Sequence, residues 1–65
     1  MSDLVTIAVF PDRMIAHILR GRLESEGIFA AVMDEAPSSF GGVRVLVNSD
    51  DVEMALKIKK QINEA

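Results

Sequence analysis

The sequence predicts a small α+β domain with the element order β-α-β-β-α. Its three strands are expected to form an antiparallel sheet of order 1-3-2, with both helices on one face. Two segments carry apolar residues at helical spacing, and three short β-branched runs flank them. A strand–helix–strand unit closes as a right-handed crossover with parallel strands, so the third strand fits between them, antiparallel to both. This is a ferredoxin-like arrangement without its last strand.

The first strand and the first helix follow one another directly. Residues 4–10, LVTIAVF, form an unbroken apolar run and predict a strand that is buried on both faces or nearly so. Pro11 ends this strand and suits the first turn of a helix, where its missing N–H costs nothing. Residues 11–26 then carry the helical pattern, with the core side formed by residues spaced four apart: Ile15, Leu19 and Leu23.

The remaining elements are separated by glycines and by one polar loop. Gly27 is predicted to end the first helix as its C′ residue, with a positive φ. Residues 28–34 predict the second strand, 35–42 a loop and 43–47 the third strand. Ser49 or Asp50 is expected to cap a second helix, whose apolar face consists of Val52, Ala55, Leu56, Ile58 and Ile62.

The length and composition predict one domain, residues 1–65, that gains little burial by itself. A chain of 65 residues buries only about 60% of the surface that its unfolded form exposes. It has no cysteine and one histidine, so disulfides and thiolate metal sites are excluded and no cofactor is expected. The net charge of −3 argues against nucleic acid. No signal peptide or membrane span is present in the pattern, so we expect a cytoplasmic protein.

The core is predicted to be small, and the strands lack a clean polar side. The most buried side chains are expected to be Ile7, Leu19, Leu23, Val45, Leu56 and Ile62. In residues 4–10 both alternating sets are apolar, and residues 28–33 are apolar throughout. A sheet with helices on one face should show polar residues on the other. Residues 4–10 would also form a sheet edge without proline or charge, which proteins normally protect.

The double glycine Gly41-Gly42 has two readings. Glycine-rich loops that bind phosphate open onto a helix N-terminus, where free N–H groups meet the anion. Here the pair opens onto the strand VRVLV, and no Gly-Lys-Ser/Thr follows. We therefore interpret Gly41 and Gly42 as part of a chain reversal, and keep them as candidate ligand or partner contacts.

Charged residues supply the other candidate binding contacts. Arg22 falls within the wide apolar arc of the first helix; either it pairs with Glu26 beyond the core edge, or the Met14–Ile18 side meets another subunit. Arg44 interrupts the third strand and could pair with Asp34 or Glu35 across the hairpin. As a set, the candidate ligand or partner residues are Arg22, Arg44, Asp34, Glu35, Gly41 and Gly42.

The remaining charged and methionine positions have ordinary structural explanations. His17 lies with Arg13, Arg20 and Glu24 on one helical face, which is typical of a solvated surface with an Arg20–Glu24 pair. The methionines at 14, 33 and 54 are interpreted as residues that fill gaps in the core.

Four segments carry a family resemblance over residues 4–56. They are the strand into Phe10, AHILRGRLESEGI at 16–28, Asp34-Glu35, and GGVRVLV at 41–47 before an acid-capped helix. This chain resembles a family of small bacterial domains described as prokaryotic signal-transducing proteins. The resemblance implies a truncated ferredoxin-like fold akin to the PII-type nitrogen regulators, and it brings no catalytic residues. Family members often have a longer loop before the double glycine than this chain has.

We expect a non-enzymatic regulatory or interaction module. The sequence has no Cys nucleophile, no Ser-His-Asp spacing and no metal cluster, and the helix dipole explains the acid pair Asp50-Asp51 at a helix start, so an enzyme is the least favoured class. The module would bind a protein partner or itself, as a homodimer through the edge of residues 4–10 or through the bare sheet face. The alternative is a PII- or ACT-like sensor that holds a small ligand at a subunit interface.

Overall fold

The computed structural model describes residues 3–34 and 42–63. Its elements confirm the predicted order β-α-β-β-α, with a single 3-10 turn, Ser49–Asp51, ahead of the second helix. They are β1 (Leu4–Phe10), α1 (Arg13–Ser25), β2 (Ala30–Asp34), β3 (Val43–Asn48) and α2 (Val52–Asn63).

The sheet has the predicted topology. Its strand order is β1-β3-β2, and β3 runs antiparallel to both neighbours, so β1 and β2 are parallel to one another. Both helices contact this sheet, and they cover the side toward which Val43, Val45 and Val47 point. These three valines are buried in the same core cluster as Leu19 and Leu23 of α1. The other side of the sheet carries no helix among the described residues.

A β-bulge in β1 changes which residues face the helices. The pairing with β3 shifts between Thr6 and Ala8, so that Ile7 is the extra residue. A bulge turns two consecutive side chains toward the same side of the sheet. Ile7 and Ala8 are accordingly both buried in the core cluster. Strict alternation along residues 4–10, which the sequence suggested, is therefore wrong: Val9 is exposed and shares its face with Thr6.

Helix α1 is defined by caps at both ends. Asp12 is its N-cap, and its Oδ1 accepts a hydrogen bond from the N–H of Met14 at 2.9 Å. Pro11 therefore lies just before the cap. The prediction that it occupies the first turn of the helix is wrong. At the other end Gly27 has φ 83°, which confirms the prediction of a positive angle.

The C-terminus of α1 forms a Schellman motif. The N–H of Gly27 bonds to the Glu24 carbonyl, and the N–H of Ile28 bonds to the Leu23 carbonyl at 2.9 Å. Ile28 and Leu23 also share the core cluster, which supplies the apolar contact of this motif. Since Ile28 still serves the helix end, β2 begins at Ala30, two residues later than predicted.

The core prediction is correct for four residues and wrong for one. Ile7, Leu19, Leu23 and Val45 are buried, whereas Leu56 is 43% exposed. Leu56 lies at the flank of α2, about 100° from Ala55, which points straight into the core. The sixth residue, Ile62, is partly buried and packs against the cluster. On α1 the core side is Ala16, Leu19 and Leu23, while Ile15 and Ile18 are exposed.

Helix α2 follows the 3-10 turn Ser49–Asp51, which contains both residues predicted as its cap. The 3-10 turn has Asn48 at its cap position, and the Asn48 side chain makes no capping hydrogen bond. Acidic residues do occupy this first turn and lysine the last turn of α2, in the order that favours the helix dipole.

Candidate functional site

The side of the sheet that faces away from the helices is the candidate site, and we call it the open face. On β3 the valines point to the helices, so the alternate residues Arg44, Leu46 and Asn48 lie on the open face. Leu46 is only 7% exposed although it lies outside the helix-side core cluster. The burial of Leu46 is therefore separate from the helix-side core.

The cross-strand register arranges the open face in three rows of three residues. Partners in adjacent strands share a face of the sheet, so each β3 residue defines one row. Extending the β2 register by one position places Phe29 beside Asn48. The Asn48 row is Leu4, Asn48 and Phe29; the central row is Thr6, Leu46 and Ala31; the Arg44 row is Val9, Arg44 and Met33.

The open face is mainly apolar and its large side chains are half-exposed. Val9 and Phe29 are each 58% exposed, and Leu4 and Met33 nearly as much. The polar groups are few: Thr6, Asn48 and Arg44, of which Arg44 is half-buried, with a buried Nε. A contiguous exposed apolar patch with polar residues in it is typical of a protein-binding surface.

The outer edge of β1 is partly occupied by the protein itself. Lys59 of α2 donates a hydrogen bond from Nζ to the carbonyl oxygen of Ile7, at 3.2 Å. Ile7 is the bulged residue, so a bulge and a lysine coincide at the middle of this edge. Bulges and lysines are two of the devices by which proteins prevent strands from pairing edge to edge. The edge that looked unprotected in the sequence has both.

Asp34 is held at the end of β2 by helix α1. The Arg13 Nε donates to Asp34 Oδ2 at 3.0 Å, and Arg13 Nη2 contacts the same oxygen. Asp34 pairs in register with Val43, which faces the helices, whereas Arg44 lies on the open face. The register thus places Asp34 and Arg44, which the sequence suggested as a pair, on opposite faces of the sheet. Gly42 is half-buried before β3, and Glu35 and Gly41 lie outside the described residues.

The outer side of α1 carries a second, narrower apolar surface. Met14, Ile15 and Ile18 are all exposed there, and we call them the outer strip. Arg22 lies beside them and pairs with Glu26 at 3.8 Å, which is the first of the two arrangements expected for this arginine. Methionines 14, 33 and 54 are all exposed, so they do not fill core gaps.

The polar side of α1 is an ordinary solvated surface. Arg20 pairs with Glu24 at 3.7 Å, as predicted, and His17 is exposed next to them. Within residues 3–34 and 42–63 no group of three potential metal ligands comes together. No helix in the same part of the chain is long and apolar enough to cross a membrane.

Comparison with known proteins identifies the family. A family model described as "putative prokaryotic signal transducing protein" matches residues 4–63. The chain belongs to this family. The match covers every strand and helix described above, so the open face and the outer strip both lie within the matched residues. No curated protein and no solved structure matches the chain.

Three features of the site were not found from the sequence. The bulge has no marker in LVTIAVF, because none of these residues is a glycine or an asparagine. The contact between Lys59 and Ile7 joins residues that are 52 positions apart, which no local pattern reports. Phe29 falls within the predicted second strand, residues 28–34, but its position just after the Gly27 cap indicates that β2 starts later.

Proposed function

We propose that this domain is a non-enzymatic regulatory module that acts by binding protein through its open face, and that it associates with a second copy of itself there. The observation that carries this proposal is the open face itself, with Leu4, Val9, Phe29 and Met33 half-exposed around a buried Leu46. Membership of a signal-transducing family fits a module that acts by association.

Burial of apolar surface supplies the driving force for such association. Each square ångström of apolar surface removed from water contributes about 25 cal/mol. A chain of 65 residues has a small core, so covering the open face would also add to its folding stability. One contact would therefore cover the apolar open face and also increase the folding stability of the chain.

The open face is favoured over the β1 edge as the contact. Edge-to-edge pairing needs a row of accessible backbone groups in a regular strand. In β1 the regular row is interrupted at Ile7, and Lys59 occupies the Ile7 carbonyl. The open face carries no comparable obstruction among the described residues.

The experiment compares two lysine variants matched for exposure. Val9 on the open face is 58% exposed and Ile18 on the outer strip is 57% exposed, so neither substitution disturbs the core. We expect the wild type and Ile18→Lys to show the same concentration-dependent rise in mass by light scattering up to about 1 mM. Val9→Lys should stay a monomer over the same range, because a lysine in an apolar contact is left desolvated.

Two results would overturn this proposal. One is that Ile18→Lys abolishes the rise in mass while Val9→Lys leaves it intact, which would move the contact to α1. The other is a result that supports the small-ligand sensor. In that case a nucleotide or amino acid would raise the melting temperature by mass action, at a protein concentration where light scattering shows only monomer.

A further inference from the structure

We propose that the outer edge of β2 accepts an extended segment of a partner protein as a fourth strand of the sheet. The segment carries an acidic side chain at its centre, on the side toward the helices, and apolar side chains on the side of the open face. This binding surface is separate from self-association through the open face and does not depend on it.

The two outer edges of the sheet differ in their protection. The strand order β1-β3-β2 makes β1 and β2 the outer strands. The β1 edge has the bulge at Ile7, with Lys59 on the Ile7 carbonyl. Strand β2 pairs with β3 in unbroken register, and its run AAVMD contains no proline, glycine or lysine. The β2 edge therefore lacks the devices that prevent pairing with another strand.

The backbone of β2 offers the groups that an added strand needs. Alternate residues of a strand direct their N–H and C=O groups toward one neighbour, and the intervening residues direct theirs the other way. Strand β2 has β3 on one side only. Within residues 3–34 and 42–63, no group outside β3 forms a hydrogen bond with the backbone of Ala30–Met33. Donors and acceptors at strand spacing are bound by an extended chain, which sets the conformation of the partner segment.

Helix α1 runs antiparallel to β2 along this edge. At one end the N–H of Ile28 bonds to the Leu23 carbonyl, and at the other the Arg13 Nε donates to Asp34 at 3.0 Å. The Arg13 contact also identifies the flank of α1 that faces β2, because α2 packs mainly against β1 and β3 on the other side. Side chains on the Arg13 flank therefore lie above the outer edge of β2.

The same flank carries two further basic side chains. His17 and Arg20 follow Arg13 at spacings of four and three residues, so the three lie on one side of α1. The helix rises about 1.5 Å per residue and the strand about 3.3 Å, so His17, four residues from the Arg13 end, comes level with Val32. Val32 is the middle residue of β2. The basic side chains thus lie above the centre of the edge.

This arrangement favours an acidic residue at the centre of the segment. Arg20 lies 3.7 Å from Glu24, which is longer than a hydrogen bond, so its donors remain available to a carboxylate. Exposed His17 adds a ring N–H donor beside it. Glu24 and Asp34 lie toward the two ends of the flank, where a further acid would be repelled. A single acid at the centre is the best match for these charges.

The other side of the segment continues the open face. Its side chains would lie beside Phe29, Ala31 and Met33, of which Phe29 is 58% and Met33 44% exposed. Apolar side chains at these positions remove Phe29 and Met33 from water, which drives the contact. The partner segment therefore alternates apolar residues with polar ones, and its central polar residue is acidic.

The test is a titration of the ¹⁵N-labelled protein, at about 50 µM, with the peptide Gly-Ser-Val-Thr-Val-Glu-Val-Thr-Val-Ser-Gly up to about 1 mM. We expect saturable amide shifts at Ala30–Met33, with the amides of β1 unchanged. Lysine in place of the glutamate should weaken binding at least threefold, because it replaces an attraction by a repulsion. Two further peptides are N-methylated, one at the valines and one at the intervening residues. Only one set of N–H groups can face β2, so one of these peptides should bind and the other should not.

Three protein variants locate the contact. Arg20→Gln should weaken binding of the glutamate peptide about threefold. Arg22→Gln is its matched control, because Arg22 pairs with Glu26 at 3.8 Å on the opposite flank of α1, and it should leave binding unchanged. Val9→Lys, at the β1 end of the open face, should bind the peptide as the wild type does.

Four results would overturn this proposal. They are no binding of any peptide up to about 1 mM, equal binding of the glutamate and lysine peptides, equal loss with both N-methylated peptides, and shifts confined to Thr6, Val9 and Leu46. Shifts of the β2 amides when the protein is concentrated without peptide would also contradict it, because a second copy would then occupy the edge. Peptide binding by a protein that stays a monomer at about 1 mM supports the β2 site and contradicts only self-association through the open face.

Discussion

The Nζ of Lys59 lies 3.2 Å from the carbonyl oxygen of Ile7 and donates a hydrogen bond to it. This bond ties α2 to the bulge of the edge strand β1. A lysine of the charged helix and a carbonyl of the apolar strand, which sequence reasoning treats separately, are therefore in direct contact and together protect the strand edge. It leaves the open face as the surface through which the domain is expected to associate.

Lys59→Met should expose the edge of β1. The variant keeps the aliphatic chain but loses the donor to Ile7, so we expect a loss of about 1 kcal/mol in the free energy of unfolding. Faster growth of thioflavin-positive aggregates at 37 °C should accompany it. Lys57→Met, on the exposed side of α2, is the control. Equal aggregation rates for the two variants would show that Lys59 does not protect the edge.

Leu23→Ala should cost about 2–5 kcal/mol of unfolding free energy, because Leu23 is fully buried between α1 and the sheet. The loss is comparable to the whole stability expected of a domain of this size. Leu56→Ala makes the same chemical change at a side chain that is 43% exposed and should cost less than half as much. Urea denaturation of both variants tests the assigned helix registers. Equal losses of unfolding free energy in the two variants would contradict those registers.

The glycine inside α1 and the glycine just after it should respond to alanine in opposite directions. Gly27 has φ 83°, so Gly27→Ala should destabilise the fold by about 1 kcal/mol through backbone strain alone, since a Cβ there meets nothing within 4 Å. Gly21 lies inside the helix with equally open space, and Gly21→Ala should stabilise by about 0.5–1 kcal/mol. Thermal melts of the pair provide the measurement; shifts of the same sign would rule out this account of the helix end.

Asp12→Ala should lower stability by about 1 kcal/mol, because the Asp12 side chain accepts the N–H of Met14 at the start of α1. Asn48→Ala, at the corresponding position before the 3-10 turn, removes no capping bond and should have a smaller effect. Both are compared by urea denaturation at low micromolar concentration, where weak association does not contribute. A larger loss for Asn48→Ala would mean that the caps are assigned wrongly.

The sequence predicted the fold well because its signals are local. The run at residues 4–10, the spacing of Leu19 and Leu23 and the glycine at 27 each act within one or two turns of the chain. Helix α2 shows the limit of such local signals. Periodicity places Leu56 on the apolar face, but Leu56 is exposed, because the way α2 packs on the sheet decides which flank of the helix is covered. The open face depends on the bulge at Ile7, which shifts the register of every following β1 residue. Such a shift arises from tertiary packing and has no local pattern.

The central claim, that the open face is the association surface, is tested most directly by amide chemical shifts in a dilution series. Spectra of the ¹⁵N-labelled protein from about 1 mM to 10 µM should show concentration-dependent shifts centred on Thr6, Val9 and Leu46, with Met14 and Ile18 of the outer strip unchanged. Concentration-dependent shifts confined to the outer strip of α1, with the open-face amides constant, would contradict the claim.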